Sequence, residues 1–77
     1  MLDLAVIAKA IEESCPGVVA DTDRSGLVII IAPVIGHKWH ALWRDGRFHT
    51  APITSVERIV VMRAALDAIE RQIAEAS

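Results

Sequence analysis

The sequence predicts an α+β fold in which an antiparallel meander of three or four strands lies between an N-terminal and a C-terminal helix, both packed on one face of the sheet. An Asp-Gly pair at positions 45 and 46 separates two alternating segments, which is the strongest short-range signal of a β-hairpin. An uninterrupted apolar run over 27–32 has the length of a strand. Apolar residues also recur at helical spacing near both ends of the chain.

The composition predicts a single domain over residues 1–77 with more apolar surface than its own core can absorb. Of the 77 residues, 53% are hydrophobic, against roughly 45–50% in an average globular protein. A chain this short buries only about 60% of its unfolded surface on folding. We therefore expect some apolar side chains at the surface or in an interface between subunits.

The first predicted element is a helix over residues 2–14. Pro16 ends it, because proline has no amide hydrogen with which to continue the helical hydrogen bonds. The apolar stripe that would face the core consists of Leu4, Ile7, Ala8 and Ile11.

Two strands are predicted next, over 18–21 and 27–32, with a turn-rich loop between them. The second strand is apolar at every position, whereas a strand with one face in water alternates, so both of its faces need cover. Its outward side chains are either the set Leu27, Ile29 and Ile31 or the set Val28 and Ile30.

The hairpin supplies the third and fourth strands. Its two-residue turn fixes the register, which pairs Arg44 with Arg47, Trp43 with Phe48, Leu42 with His49 and Ala41 with Thr50. The face predicted to join the core holds Trp39, Ala41, Trp43, Phe48 and Thr50. The face predicted to be a working surface holds Lys38, His40, Leu42, Arg44, Arg47, His49 and Ala51.

The last predicted element is a helix that runs to about Glu75. Thr54 and Glu57 have the spacing of a capping box, in which each side chain accepts a hydrogen bond from a backbone amide of the first turn. The predicted buried stripe consists of Ile59, Met62, Ala65, Leu66, Ile69 and Ile73, and it leaves Val60 and Val61 outside.

The open face of the sheet is the candidate binding surface. The outward side chains of the second strand would join Leu42 and Ala51 in an apolar strip, and a polar rim would surround it. An apolar centre inside an arginine-rich rim is typical of protein–protein interfaces. The predicted occupant is a second copy of the chain or a different protein. The candidate partner-binding residues are Lys38, His40, Leu42, Arg44, Arg47 and His49.

No pattern of catalytic residues is recognisable, so we expect a non-enzymatic protein without a metal, a cofactor or a small-molecule substrate. His40 and His49 share a face, but no carboxylate of the hairpin strands completes a metal site with them. Cys15 follows the first helix, where the helix dipole disfavours a thiolate, and a structural role is predicted. The Arg44–Arg47 pair fits an anionic partner and two solvated side chains equally well.

Charge and hydropathy predict a cytoplasmic protein. The net charge is −2 with both signs interspersed, which argues against a protein that mainly neutralises phosphates. No run reaches the roughly 18 apolar residues of a membrane span, and the start of the chain lacks a signal-peptide pattern. The single cysteine cannot form an internal disulfide, which fits a reducing compartment.

Residues 38–48 have the sequence Lys-Trp-His-Ala-Leu-Trp-Arg-Asp-Gly-Arg-Phe and precede the capped helix. This half of the chain resembles the arm-type DNA-binding domain of tyrosine integrases, which lays a three-stranded sheet on DNA. The helix before the sheet and the wholly apolar second strand depart from that family. The resemblance implies that phosphates and bases would be contacted by Lys38, His40, Arg44, Arg47 and His49.

In size and style the chain is also similar to small accessory proteins of phages and mobile elements, including anti-CRISPR-type inhibitors. The leading hypothesis is a homodimeric protein-binding module of that kind, an inhibitor or adaptor that occupies a surface of a larger nucleoprotein machine. One alternative is a DNA-binding sheet that uses Lys38, Arg44 and Arg47. Another is a structural subunit that assembles only with itself.

Overall fold

The computed structural model describes residues 2–76. The elements follow in the order α1 (Leu4–Ser14), β1 (Val19–Thr22), β2 (Val28–Ala32), β3 (Trp39–Arg44), β4 (Arg47–Thr50) and α2 (Val56–Ala76). The strands form one antiparallel sheet in the order β1-β2-β3-β4. The predicted α+β class and element order are confirmed, and the meander has four strands.

Helix α1 begins at Leu4 because Asp3 caps it. The Asp3 carboxylate accepts hydrogen bonds from the backbone amides of Ala5, at 3.0 Å, and Val6, at 3.4 Å. The predicted core stripe is confirmed, since its four members are all buried: Leu4, Ile7, Ala8 and Ile11.

A pair of hydrogen bonds joins the start of α1 to the far end of α2. The Gln72 side chain accepts from the Asp3 amide at 2.9 Å and donates to the Asp3 carbonyl at 3.0 Å. The first turn of α1 therefore lies beside the last turns of α2, and the two helices run antiparallel.

The side chains of β2 show how the sheet divides between core and surface. Ile29 and Ile31 are buried, whereas Val28 and Ile30 are only half-buried, so the second of the two predicted sets points outward. All buried side chains of both helices and of the sheet belong to one core cluster. Helix α1 packs on β1 and β2, and α2 packs on α1 and reaches β3 through side chains, so both helices lie on the same side of the sheet. We call that side of the sheet the inner face.

The aromatic residues lie on the inner face as predicted, but the core covers them unequally. Trp39 is buried, while Trp43 and Phe48 are half-buried and meet edge to face with ring centroids 5.0 Å apart. Arg58 of α2 lies over the Trp39 ring at 5.0 Å from its centroid. This cation–π contact anchors the start of α2 on β3.

The predicted core stripe of α2 is partly wrong. Ile59, Leu66 and Ile73 are exposed, and Val61, which the prediction left outside, is completely buried. Alanines dominate the side of α2 that is buried, and their small side chains let α2 approach α1 closely. The buried residues of α2 are Val61, Ala64, Ala65, Ala68 and Ile69.

Ser55, rather than Thr54, caps α2. The helix begins at Val56, and the Ser55 hydroxyl accepts a hydrogen bond from the Arg58 amide at 3.2 Å. Glu57 accepts a hydrogen bond from the Val34 amide, in the β2–β3 loop, at 3.1 Å. The predicted capping box is therefore wrong, because the carboxylate serves a backbone donor of the loop instead.

Candidate functional site

The candidate site is the face of the sheet opposite the two helices. Ile30 pairs with Asp21 on one side and with His40 on the other. Leu42 pairs with Val28 on one side and with His49 on the other. Neither helix covers this surface. We call it the outer face, and its members are Val19, Asp21, Val28, Ile30, Ala32, His40, Leu42, Arg44, Arg47 and His49.

Aliphatic side chains form the centre of the outer face. Val28, Ile30 and Leu42 are half-buried by their neighbours in the sheet, and Val19 is 57% exposed at the β1 edge. Ala51, which was predicted to extend this strip, follows the last residue of β4 and lies outside the ladder. The apolar centre therefore extends toward β1, not beyond β4.

The turn between β3 and β4 positions the charged end of the outer face. Asp45 and Gly46 have φ angles of 57° and 75°, as a type I′ turn requires. The register is the predicted one, with Leu42 opposite His49 and Arg44 opposite Arg47. This part of the prediction is confirmed residue by residue.

Two arginines therefore lie next to each other at the closed end of the hairpin. Arg44 Nε is 3.7 Å from Asp45 Oδ2, but the two side chains are 64% and 76% exposed, so water weakens this ion pair. Arg47 faces Arg44 directly across the ladder, an arrangement that like-charge repulsion disfavours. A carboxylate from outside the chain would relieve that repulsion.

The histidines are placed differently from one another. His40 is exposed on the outer face, whereas the His49 ring lies with Nε2 at 3.2 Å from the Arg44 carbonyl oxygen. That nitrogen carries the hydrogen, because a carbonyl can only accept. His37 lies in the β2–β3 loop and lines a cleft against the start of α2. Among residues 2–76, no three His, Cys, Asp or Glu side chains are close enough to hold a metal ion.

The charges of the outer face differ from the prediction at Lys38 and Asp21. Lys38 is exposed in the loop immediately before β3 and borders the outer face without belonging to the ladder. Asp21 is a member that the sequence analysis missed, although the buried Ala20 beside it implies that Asp21 points outward. The outer face is therefore negative near β1 and positive near the hairpin turn.

Cys15 lies at the end of α1 and is buried. Burial raises the pKa of its thiol, and the Glu57 carboxylate raises it further. Both effects keep the thiol protonated near neutral pH, which opposes a role as a nucleophile.

A cavity of about 440 Å³ opens between the start of α1 and the β1–β2 loop. Its walls include the apolar side chains of Leu2, Leu27 and Trp43. Asp3 provides its one carboxylate, which already caps α1. The cavity thus lacks a second titratable group with which Asp3 could share acid–base chemistry.

Comparisons of the chain with protein-family models, with curated proteins and with solved structures found no match. Neither helix in the described part of the chain is long and apolar enough to cross a membrane.

Proposed function

We propose that this protein is a non-enzymatic protein-binding module that docks the outer face of its sheet onto another protein. One observation carries the proposal: both helices lie on the inner side of the sheet, so Val28, Ile30 and Leu42 meet the solvent beside a pair of arginines. Covering such a strip removes apolar surface from water, which is the main driving force of protein association.

The charges of the outer face indicate the chemistry of the partner. Arg44 and Arg47 repel each other in the isolated chain, and each guanidinium can bind a carboxylate through two hydrogen bonds. Leu42 is the member of the apolar centre that lies nearest to the two arginines in the ladder. The partner we propose is a protein surface with apolar side chains that meet Leu42 and with Asp or Glu side chains that meet the arginines.

The proposal extends to how such a module would act. Without catalytic machinery, it would work by occupying a surface, as an inhibitor or adaptor of a larger nucleoprotein assembly. We place this action in the cytoplasm, because the free, buried thiol of Cys15 suits a reducing compartment.

The test compares capture of proteins from an extract of the native host by immobilised wild-type protein and by Leu42→Glu. The new carboxylate would be buried in the apolar centre and would repel the acidic side chains of the proposed partner. We therefore expect that the variant no longer captures the protein that the wild type captures. With the purified partner, calorimetry should show affinity reduced by about tenfold or more. Val60→Glu, on the exposed side of α2, is the matched control and should bind normally.

Arg47→Ala separates a role in binding from a role in stability. It removes a like-charge repulsion, so the free energy of unfolding should stay the same or rise slightly, while affinity for the partner falls. Equal capture by wild type, Leu42→Glu and Arg47→Ala would overturn the proposal.

The same variants distinguish a protein partner from DNA. Affinity for duplex DNA falls steeply as salt rises, because binding releases counterions from the phosphates. Steep salt dependence in an anisotropy titration, made shallower by replacing Arg44 and Arg47 with alanine and unchanged by Leu42→Glu, would favour the DNA-binding alternative. We expect no such binding, since Asp21 and Asp45 oppose the approach of a polyanion.

A further inference from the structure

A second exposed apolar surface lies on α2, away from the outer face. Ile59, Leu66 and Ile73 are 40%, 49% and 58% exposed. They are spaced by seven residues, close to two helical turns, and so lie on one side of the helix. We call these three residues the α2 strip.

The α2 strip is distinct from the side of α2 that packs in the core. That buried side is centred on Val61, Ala65 and Ile69, and the half-buried Met62 lies between it and the strip. A helix with a single packing surface normally presents polar residues elsewhere. Here the apolar arc continues past the core and onto the exposed side.

The charged residues nearest the α2 strip are Arg63 and Glu70, which follow its outer border. Both are exposed, and within residues 2–76 neither forms an ion pair. Arg63 lies three residues before Leu66 and Glu70 lies four residues after it. The two opposite charges are thus nearly symmetric about the middle of the strip.

This symmetry matches a second copy of the same helix. If a second α2 lies antiparallel across Leu66, Ile59 faces Ile73 of the second copy, and Leu66 meets its own equivalent. The outer borders of the two helices then lie side by side, so Arg63 of each copy lies next to Glu70 of the other copy. An interface of this type is self-complementary, as two-fold symmetry requires.

We propose that the α2 strip is the contact surface of an antiparallel, two-fold homodimer. The strip spans the fifteen residues 59–73, about 21 Å from its first to its last residue, so the contact is smaller than that of a standard stable interface. The dimer should therefore dissociate on dilution. It would use the helical side of the molecule and leave both outer faces open, so the proposal does not depend on the function assigned to them.

The test is the solution mass of the full chain, measured by sedimentation velocity over a concentration series. Wild type should change from monomer to dimer as concentration rises. Leu66→Glu should place two carboxylates at the two-fold axis and weaken association by about tenfold or more. Arg63→Glu and Glu70→Arg should each weaken it as well, because each replaces attraction with repulsion.

Recombining the charges supplies the decisive control. The double variant, with Arg63→Glu and Glu70→Arg together, restores opposite charges across the two-fold axis and should dimerise again. An equimolar mixture of the two single variants should form a heterodimer, because one copy is then acidic and the other basic along this border. Neither result is expected if the substitutions merely unfold α2.

Two outcomes would overturn the proposal. One is a wild-type chain that stays monomeric over the whole concentration series. The other is a dimer that Leu42→Glu disrupts and Leu66→Glu does not, because self-association would then use the outer face. Failure of protein capture with an intact α2 dimer would instead count only against the proposed function.

Discussion

At the scale of single residues, Asp23 shows how one carboxylate organises a loop. It accepts hydrogen bonds from the Ser25 hydroxyl, at 2.7 Å and 2.9 Å to its two oxygens, and from the Val28 amide at 3.3 Å. These bonds tie the β1–β2 loop to the start of β2. They also lower the pKa of Asp23, with the Ser25 hydroxyl as the largest cause, because they favour the charged form.

This arrangement predicts how acid affects stability. The pKa of Asp23 is lower in the folded chain than the value of about 3.9 in the unfolded chain. Its contribution to the free energy of unfolding is therefore fully present above the unfolded-chain pKa. It is lost as the pH falls through the folded pKa. We expect Asp23→Asn to reduce the free energy of unfolding at neutral pH and to match wild type in strong acid.

Urea denaturation at several pH values measures this difference. Ser25→Ala removes the largest cause of the pKa shift and should reproduce part of the effect. Parallel stability curves for wild type and Asp23→Asn over the whole acid range would contradict the prediction.

Residue-level prediction from the sequence succeeds where the chemistry is local. The Asp45-Gly46 turn needs only two adjacent residues that tolerate positive φ, and its register was therefore predictable. The hydrogen bond from Val34 to Glu57 joins residues 23 positions apart, which no local pattern indicates. That distant contact is the reason the predicted capping box is wrong.

At the scale of elements, α2 shows what periodicity leaves open. The helix has aliphatic residues on more than one side, so hydropathy alone does not rank them. The side that packs is decided by how closely α1 can approach, which favours alanines over larger residues. Helix α1 and the hairpin each have one clearly apolar side, so the sequence alone predicts which of their side chains are buried. For β2, both faces are apolar, and only the packed structure chooses Ile29 and Ile31 for the core.

Two adjacent valines of α2 test this assignment. Val61 is completely buried and Val60 is 45% exposed, so Val61→Ala and Val60→Ala remove the same methyl groups from opposite environments. We expect Val61→Ala to lower the free energy of unfolding by about 2 kcal/mol, since it opens a cavity. Val60→Ala should change it by less than about 0.5 kcal/mol. Equal losses in urea denaturation would show that the buried side of α2 is assigned wrongly.

At the scale of the whole molecule, part of the excess of apolar residues lies on two separate surfaces, while other exposed apolar side chains, such as Ile35 and Val56, lie outside both. The outer face exposes Val19 beside the half-buried Val28, Ile30 and Leu42, and the helical side exposes the α2 strip. The composition predicts that some apolar surface remains uncovered, and the alternation of the hairpin predicts the outer face. The periodicity of α2 instead predicts that the α2 strip is buried, because the sequence does not show how far the core extends around a helix.

The Cys15 thiol, at the end of α1, makes the stability of the whole chain depend on pH in the alkaline range. It is buried, and the Glu57 carboxylate of α2 acts on it. Burial raises its pKa in the folded chain above the value of about 8.5 in the unfolded chain. Its contribution to stability is therefore complete below that value and is lost as the pH rises through the folded pKa.

We expect the free energy of unfolding of the wild type to fall with pH in the alkaline range, measured by urea denaturation. Cys15→Ala should be less stable at neutral pH, because it leaves a small cavity, but its stability should fall less steeply with alkali. Glu57→Gln keeps an oxygen that can accept from the Val34 amide while removing the charge, so its slope should lie between the other two. The same alkaline slope in wild type and Cys15→Ala would contradict the prediction, because the loss of stability would then come from groups other than the Cys15 thiol.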